Sequence, residues 1–246
     1  MKTLFSFNPN RHNFWPIYEA IKAYYPLGLG GTDLNPGVYY NYSGIKRLEA
    51  LVVDNVHVRA HYRERWVKVK QKWQRELGKA IRGTTYGQAP SFSAYVEVSR
   101  KKVDNCILSK ELHVAVSFLG PFYTVFGLDN TVLIEEDKHY PQTNRVVISP
   151  TAGYDQYFSR LREAIEKDFS GHQFVPYFIH RGFINGLRVR YRDDDENNVY
   201  HALFNENFAF NAPIVGDEHS YGMDQWLVDD PEEDGGWVVR PPGGMG

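Results

Sequence analysis

Two histidines four residues apart, His57 and His61, have the spacing closest to a metal site, because positions i and i+4 share one face of a helix. Glu64 follows one turn later and would add a third ligand. A zinc protease needs a glutamate directly after the first histidine, and this chain has Val58 there. The surrounding arginines would also repel a cation. We therefore predict that the pair binds no metal, and a metal-dependent hydrolase remains the third interpretation of the chain.

A run of acidic residues at 192–198 places oxygen atoms at alternate positions, as a calcium-binding loop does, with Asp193 and Asp195 as candidate ligands. Asn198 stands where the sharp turn of an EF-hand requires glycine. Phe204 stands where that loop has its bidentate glutamate. The sequence therefore predicts a solvated turn rather than an ion site.

The candidate nucleophiles also lack the neighbouring groups that would activate them. Cys106, the single cysteine, follows a tight turn in which no helix terminus would lower its pKa. The spacing Ser-x-x-Lys occurs at Ser43 and at Ser99, but neither copy has a supporting motif, and the chain has no phosphate-binding loop. We therefore predict a protein that is not an enzyme and binds no cofactor.

Charge is strongly segregated although the totals, 28 basic and 30 acidic side chains, nearly cancel. Residues 57–82 hold nine basic and two acidic side chains, a net charge of +7, and residues 213–246 hold one basic and eight acidic side chains, a net charge of −7. Such fields attract oppositely charged partners. The predicted partner-contact residues are four cations of the basic segment and four acids of the tail: Arg59, Arg63, Lys70, Arg75, Asp229, Asp230, Glu232 and Glu233.

The absence of a catalytic constellation and this charge pattern together favour a non-catalytic cytosolic protein that binds another protein. A toxin-neutralising, immunity-type protein is one example of that role. The alternative is an RNA- or DNA-binding module whose helix 57–82 tracks phosphates while the acidic tail competes for it. Trp66 and Trp73 would then stack on bases, although their place in the apolar stripe equally predicts burial.

The elements that must position these residues begin with helices. Apolar residues recur at helical spacing over residues 13–25, and a Gly- and Pro-rich loop follows. One apolar stripe then continues over residues 44–81, which predicts a single long helix. Several β-branched valines leave a break near Asp54 and Asn55 open.

From Phe92 the apolar period changes to two, which predicts strands. We expect strands over residues 92–98, 108–119, 122–127 and 131–135, with a turn at Asp129-Asn130, and a fifth strand at 146–148 after a polar loop. A helix over 154–169 ends before Gly171, Asn185-Gly186 predicts a β-hairpin, and residues 199–204 fit a strand or a helical turn.

The 246 residues are 42% hydrophobic and 24% charged, which excludes disordered, collagen-like and disulfide-scaffold classes. We predict an α+β fold: a mostly antiparallel sheet of about five to seven strands, a long N-terminal helix and a second helix packed on the sheet. One domain would span 1–212, with a helical layer over 1–90 and the sheet over 91–212. Residues 213–246 would form an irregular, partly flexible acidic tail. We find no signal peptide or bilayer-spanning run, so we expect a cytoplasmic protein that does not contact membranes.

Overall fold

The computed structural model describes residues 3–28, 36–136, 138–192, 197–229 and 238–240. It confirms the α+β prediction. Seven strands form one sheet: β1 (Ile81–Gly83), β2 (Ser91–Val103), β3 (Cys106–Ser117), β4 (Phe122–Glu135), β5 (Lys138–Val147), β6 (Gln173–Phe174) and β7 (Ile214–Val215). The strand order is β1-β2-β3-β4-β5-β7, and β6 lies beside the first residues of β4. β6 pairs with β4 and β7 pairs with β5 in parallel, and every other strand pairing in the sheet is antiparallel.

Eight α-helices accompany the sheet in the described part of the chain: α1 (Trp15–Tyr24), α2 (Pro36–Asn41), α3 (Ser43–Val52), α4 (Arg59–Tyr62), α5 (Lys68–Leu77), α6 (Asp155–Asp168), α7 (Tyr177–His180) and α8 (Val199–Leu203). No described helix is both long enough and apolar enough to cross a lipid bilayer.

The sheet separates two hydrophobic cores. On one side, which we call the α6 face, Val114 and Val125 pack with the buried residues of α5 and α6. On the other side, which we call the α8 face, Phe126 and Leu128 pack with α1, α3 and α8. Side chains alternate between the faces along each strand, so the register assigns every strand residue to one of them.

The single helix predicted over 44–81 is wrong in its continuity and its end. α3 passes into a π-helical turn, Val53–His57, and the chain then becomes extended at Val58, where ψ is 99°. α4 and a second π-helical turn, Arg63–Val67, lead into α5. The break lies at the last of the β-branched valines, which favour extended backbone. α5 ends at Leu77 because Gly78 takes the left-handed conformation, and Ile81 begins β1.

The turn predicted at Asp129-Asn130 and the polar loop after it are also wrong. Both residues lie inside β4, and the polar segment is the long strand β5. Asp129 stays in the strand because its carboxylate bonds Lys110, Arg145 and the hydroxyl of Tyr154 instead of its own backbone. The local irregularity is absorbed by a register shift between β4 and β5 at this position.

The Asn185-Gly186 dipeptide forms a turn but no hairpin. Gly186 has φ of 72°, as the turn requires, yet the flanking residues make no regular ladder with each other. Phe183 instead bridges Leu4 and Asn198. Residues 199–203 are helix α8, because the side chain of Asn198 accepts a hydrogen bond from the N–H of His201 at its start.

The first half of the predicted tail is mostly irregular but packs on the body. β7 pairs with the end of β5. Trp226 is 1% exposed, and its indole N–H donates to the carbonyl of Phe174 at 2.7 Å. Val239 pairs with Phe7 near the N-terminus.

The predicted helix over 154–169 is confirmed as α6.

Candidate functional site

Beyond the two cores, the two long hairpins continue as a four-stranded surface that we call the distal half-sheet, residues 99–111 and 129–145. Most of its side chains are exposed or half-buried, and Ser109 is the buried one among those described. Both faces of this half-sheet therefore present side chains to solvent, which is unusual for strands of this length.

The α8 face of the distal half-sheet is built on a polar network around Glu111. Its carboxylate accepts hydrogen bonds from the hydroxyl of Ser109 at 2.9 Å, from Nε2 of His113 at 3.2 Å and from the amide of Asn130 at 3.2 Å. The hydroxyl of Thr143 on β5 donates to the other side of that amide at 2.9 Å. The carboxylate thus connects β3 to β4, and Asn130 and Thr143 extend the network to β5, which fixes the floor of this face.

His113 is held between two rings, because Tyr95 stacks on one side at 5.2 Å and Phe126 on the other at 5.3 Å between ring centroids. Its Nδ1 is buried and has no hydrogen-bond partner among the described residues. Burial acts to raise the pKa of Glu111, but the hydrogen bonds from His113 and Ser109 outweigh it, and the pKa is lowered. The carboxylate therefore stays ionised and serves as an acceptor in a network that already uses its oxygens.

A cleft of about 560 Å³ opens where this network reaches β5. Its walls are residues 141–144 of β5 and residues 209 and 211–213 of the loop before β7. β7 pairs with Val146 and Val147, so the loop leaves the strand below that point and the cleft lies between them. The lining consists of proline, alanine, amide and hydroxyl side chains and contains no charged group, so it suits hydrogen-bonded binding rather than acid–base chemistry.

Next to the cleft, two rows of side chains cross the α8 face. One row is Lys102, Ile107, Val132 and Pro141, and the next is Arg100, Ser109, Asn130 and Thr143. The face therefore has an apolar centre, a basic rim on β2 and the cleft on β5. This arrangement is typical of a protein-binding surface.

The edges of the distal half-sheet are protected against addition of another strand. β1 covers only the middle of β2, and the uncovered part carries Arg100, Lys101 and Lys102. On the opposite edge, β5 contains Pro141, which has no N–H donor, and the register shift with β4. Lysine, proline and bulges at sheet edges oppose strand addition. A partner is therefore not expected to add a strand to either edge.

The histidines with metal-like spacing do not converge. Nε2 of His57 contacts the carbonyl of Gly87 at 2.8 Å, whereas Nδ1 of His61 contacts the carboxylate of Asp54 at 2.7 Å. Within the described ranges, no group of three or more histidine, cysteine or acidic side chains is arranged to hold a metal ion. Asp193 and Asp195 lie outside the described residues.

Six of the nine cations of the basic segment have an acidic, an aromatic or a β2 backbone partner, and Nε of Arg75 donates to the carbonyl of Gln71 one turn earlier in its own helix. Arg65 pairs with Asp54, Lys68 with Glu64, Lys72 with Asp168 and Arg82 with Glu97, while Lys79 donates to the carbonyl of Val98 and Lys70 lies over the ring of Trp66. Burial lowers the pKa of Lys70. Arg59, Arg63 and Arg75 are exposed and have no acidic partner within the described ranges. These three are the predicted contacts that the structure leaves available on the basic segment.

The described part of the tail does not place the predicted acidic contact residues against the basic segment. Asp229 is exposed, and the residues just before it pair with the N-terminal region through Arg11 and His12. Asp230, Glu232 and Glu233 lie outside the described residues. The second π-helical turn packs near the start of β2, since Trp66 stacks on Phe92, whereas Arg82 at the end of the basic segment shares Glu97 with Arg100 of the distal half-sheet. The predicted contacts remain a prediction.

Sequence reasoning missed the distal half-sheet because β5 is polar on both faces. The alternation Ser109, Glu111 and His113 along one strand was the available signal. Trp66 and Trp73 are fully buried, so neither offers a face for base stacking.

The chain matches no protein-family model, and comparisons with curated proteins and with solved structures give no significant similarity.

Proposed function

We propose that this chain is a non-catalytic protein-binding module that receives its partner on the α8 face of the distal half-sheet. The observation that carries the proposal is the cleft beside β5, which continues into the apolar row and the basic rim of the same face. The sequence-based idea that the partner is a toxin is a special case of this proposal.

The cleft defines the first part of the partner. Four residues of β5 form one wall, which gives a length of about 13 Å at the rise of a β-strand. The hydroxyl of Thr143 on the α8 face and the amide of Asn211 on the loop supply donors and acceptors for a main chain. We infer that a short extended segment of the partner occupies the cleft.

The rim defines the second part. Arg100 and Lys102 lie on β2, three strands from the cleft, which is about 15 Å at the spacing of neighbouring strands. Arg100 is only loosely paired, at 3.9 Å from Glu97. The partner therefore carries acidic residues about that far from its inserted segment, and these residues accelerate association more than they tighten it.

The polar network supports this role because it keeps the face rigid before binding. Glu111 fixes β3 to β4 through Asn130, and Thr143 extends the connection to the cleft wall. A surface that is already ordered loses less conformational entropy when a partner binds.

Photo-crosslinking in the native host tests the proposal. A photoreactive residue at Asn211 in the cleft should capture one discrete protein, and the same residue at the distant, exposed Gln71 should not. With that partner purified, Lys102→Glu should slow its association about tenfold at low salt. Lys101→Glu is the matched control, because it makes the same charge change on the neighbouring residue, which faces the other side. Equal labelling from both positions, or equal effects of both substitutions, would contradict the proposal.

A further inference from the structure

The loop wall of the cleft, residues 205–213, is hydrogen-bonded to the body at its two ends. Oδ1 of Asn205 accepts from the hydroxyl of Tyr200 at 2.6 Å, and the carbonyl of Pro213 accepts from the N–H of Val146 at 2.8 Å. Between positions 208 and 212, the hydrogen bonds found in the described part of the chain stay within the loop itself. This stretch can therefore move away from β5 about its two ends without breaking a hydrogen bond to the body.

Two aromatic rings anchor the middle of this loop. Phe208 is 3% exposed and packs on Phe126 of β4, with 4.8 Å between ring centroids. Phe210 packs on Phe208 at 4.4 Å. Ala209, which lies between the two phenylalanines in the chain, belongs to the cleft wall. The position of the wall relative to β5 is therefore set by the packing of these two rings.

Each of the two rings contacts a buried histidine. The ring of His180 on α7 lies 5.7 Å from that of Phe208, and the ring of His201 on α8 lies 5.5 Å from that of Phe210. Both nitrogens of His180 and Nδ1 of His201 are buried and have no hydrogen-bond partner among the described residues. Burial lowers the pKa of His180 to about 3, and burial together with the charge of Arg192 lowers that of His201 to about 3. The closed loop therefore holds both imidazoles in the neutral form.

The surroundings of the two histidines offer no counter-charge for a proton. Within the described ranges no charged group acts on the pKa of His180, and the charge that acts on that of His201 is positive. Tyr200 contacts both imidazoles with its ring, and its hydroxyl is already bonded. The titratable or charged groups on the other elements around them include Tyr177 and Arg181 on or just after α7, Tyr191 before α8, Glu206 on the loop, Glu218, which pairs with Arg181, and His113 on β3, which packs on Phe126. A charge on either imidazole is therefore relieved by water, which requires the loop to open.

We propose that acid opens the loop wall and thereby releases the inserted segment of the partner from the cleft. The release rests on the proposed function, whereas the opening of the loop does not. When Phe208 and Phe210 move away with the loop, water reaches His180 and His201, and each takes up one proton from solvent. The chain therefore holds its partner near neutral pH and releases it in acid.

The size of the effect follows from proton linkage. The closed form loses stability relative to the open form as the pH falls from 6.5, the ordinary pKa of histidine, towards 3. A histidine that regains its ordinary pKa on opening favours the open form about 25-fold more at pH 5 than at pH 7. The two histidines together give a factor of several hundred, on the order of 600.

Two spin labels across the cleft measure the opening in the free chain. The labels are attached to cysteines introduced at Asn211 on the loop and at Asn144 on β5, in a chain with Cys106→Ser so that no other thiol reacts. Pulsed electron spin resonance should give one short distance at pH 7 and a growing population at a longer distance at pH 5. Circular dichroism at the same pH values verifies that the fold is retained.

Histidine variants identify the groups that respond. His180→Leu and His201→Leu should each reduce the change between pH 7 and pH 5 about 25-fold, and the double variant should show none. His172→Leu is the matched control and should keep the full response, because burial also lowers the pKa of His172 but its ring packs on Phe169 on the α6 face.

Three results would overturn the proposal: a distance that stays the same down to pH 5, an undiminished response in the double variant, or opening that occurs only together with loss of the circular dichroism signal. The measurement uses no partner. Failure of the loop to open is therefore distinguished from failure of the proposed function, which the photo-crosslinking experiment detects.

Discussion

Trp73 donates its indole N–H to a carboxylate oxygen of Asp168 at 2.8 Å, which ties α5 to α6 above the sheet. The indole is fully buried, and Lys72 also contacts the same carboxylate. Asp168→Ala would leave the indole N–H buried without an acceptor, at a cost of about 1–3 kcal/mol in the free energy of unfolding. Urea denaturation measures this loss. Glu163→Ala, an exposed acid on the same helix, is the control, and equal unfolding midpoints for the two variants would contradict the prediction.

His180 predicts an acid-sensitive core. It is 2% exposed among the rings of Tyr200, Phe204 and Phe208, and neither ring nitrogen has a partner within the described ranges. Burial lowers its pKa to about 3. The unfolded chain binds a proton below pH 6.5 and the folded chain does not, so this group costs stability as the pH falls from 6.5 towards 3.

Replacing this histidine should remove that cost. His180→Leu should be at least as stable as the native chain at pH 7 and should gain about 2–3 kcal/mol over it at pH 4.5. Thermal or urea unfolding at both pH values gives the difference. His139→Leu, at an exposed position, should show no such pH-dependent gain. A constant difference between the native chain and His180→Leu at the two pH values would refute the assignment.

Substitution of Glu111 should lower the stability of the fold at neutral pH, whereas substitution of His180 should raise it at low pH. Because its folded pKa is lowered, Glu111 stabilises the fold above the unfolded pKa, and that contribution disappears as the pH falls through the folded value. Glu111→Gln should lose about 1 kcal/mol at pH 7 and little at pH 3. Unfolding at the two pH values, with the exposed Glu135→Gln as control, reports it. A loss of the same size at pH 3 would show that the charge of Glu111 is not involved.

If the chain instead binds RNA or DNA, the structure limits the number of cations in the basic segment that can contact phosphates. With three available arginines and both tryptophans buried, a polynucleotide would contact about three phosphates, giving a salt dependence of log K near −3 per decade. Removal of Arg59, Arg63 and Arg75 by alanine should abolish it. Fluorescence anisotropy at several salt concentrations measures the slope, and no binding at low salt would exclude the alternative.

The same alternative requires that the acidic tail be removed without damage to the body. Truncation after Asn211 would also remove Trp226, which is buried against Phe14 and Phe122. A chain that ends at Asp229 keeps the packing of Trp226 and loses four of the eight acidic residues of the tail, together with the pairing of Val239 with Phe7. Competition by the tail predicts tighter polynucleotide binding for this shorter chain than for the full one.

The periodic parts of the sequence predicted their elements well. α6 follows directly from spacing because one face of it is buried and apolar and the other is not, and the strand follows because Leu112, Val114 and Val116 alternate with smaller or polar residues. The polar strand β5 gives no such signal, since the pairing that orders it comes from β4 and not from its own composition. Asp129 is predicted as a turn residue for the same reason: its partners Lys110, Arg145 and Tyr154 are distant in sequence.

The candidate site was less predictable. Charge segregation located the basic segment, but it did not show that Arg65, Lys68 and Lys72 are neutralised within the fold. The cleft depends on the divergence of residues 209–213 from β5, which no local pattern encodes. A solvent-facing half-sheet is recognised only when the lengths of paired strands are known.

The two π-helical turns make the segment that joins α3 to α5 tolerant of shortening. A turn closed by i to i+5 hydrogen bonds contains one residue more than an α-helical turn, with the same direction of the chain on either side. Deleting one residue from Arg63–Val67, for example Glu64, would leave an ordinary helix in which Trp73 and Leu77 still point into the core. One residue of this segment can therefore be deleted, by natural mutation or by design, while the direction of α5 and the side of it that faces the core stay the same.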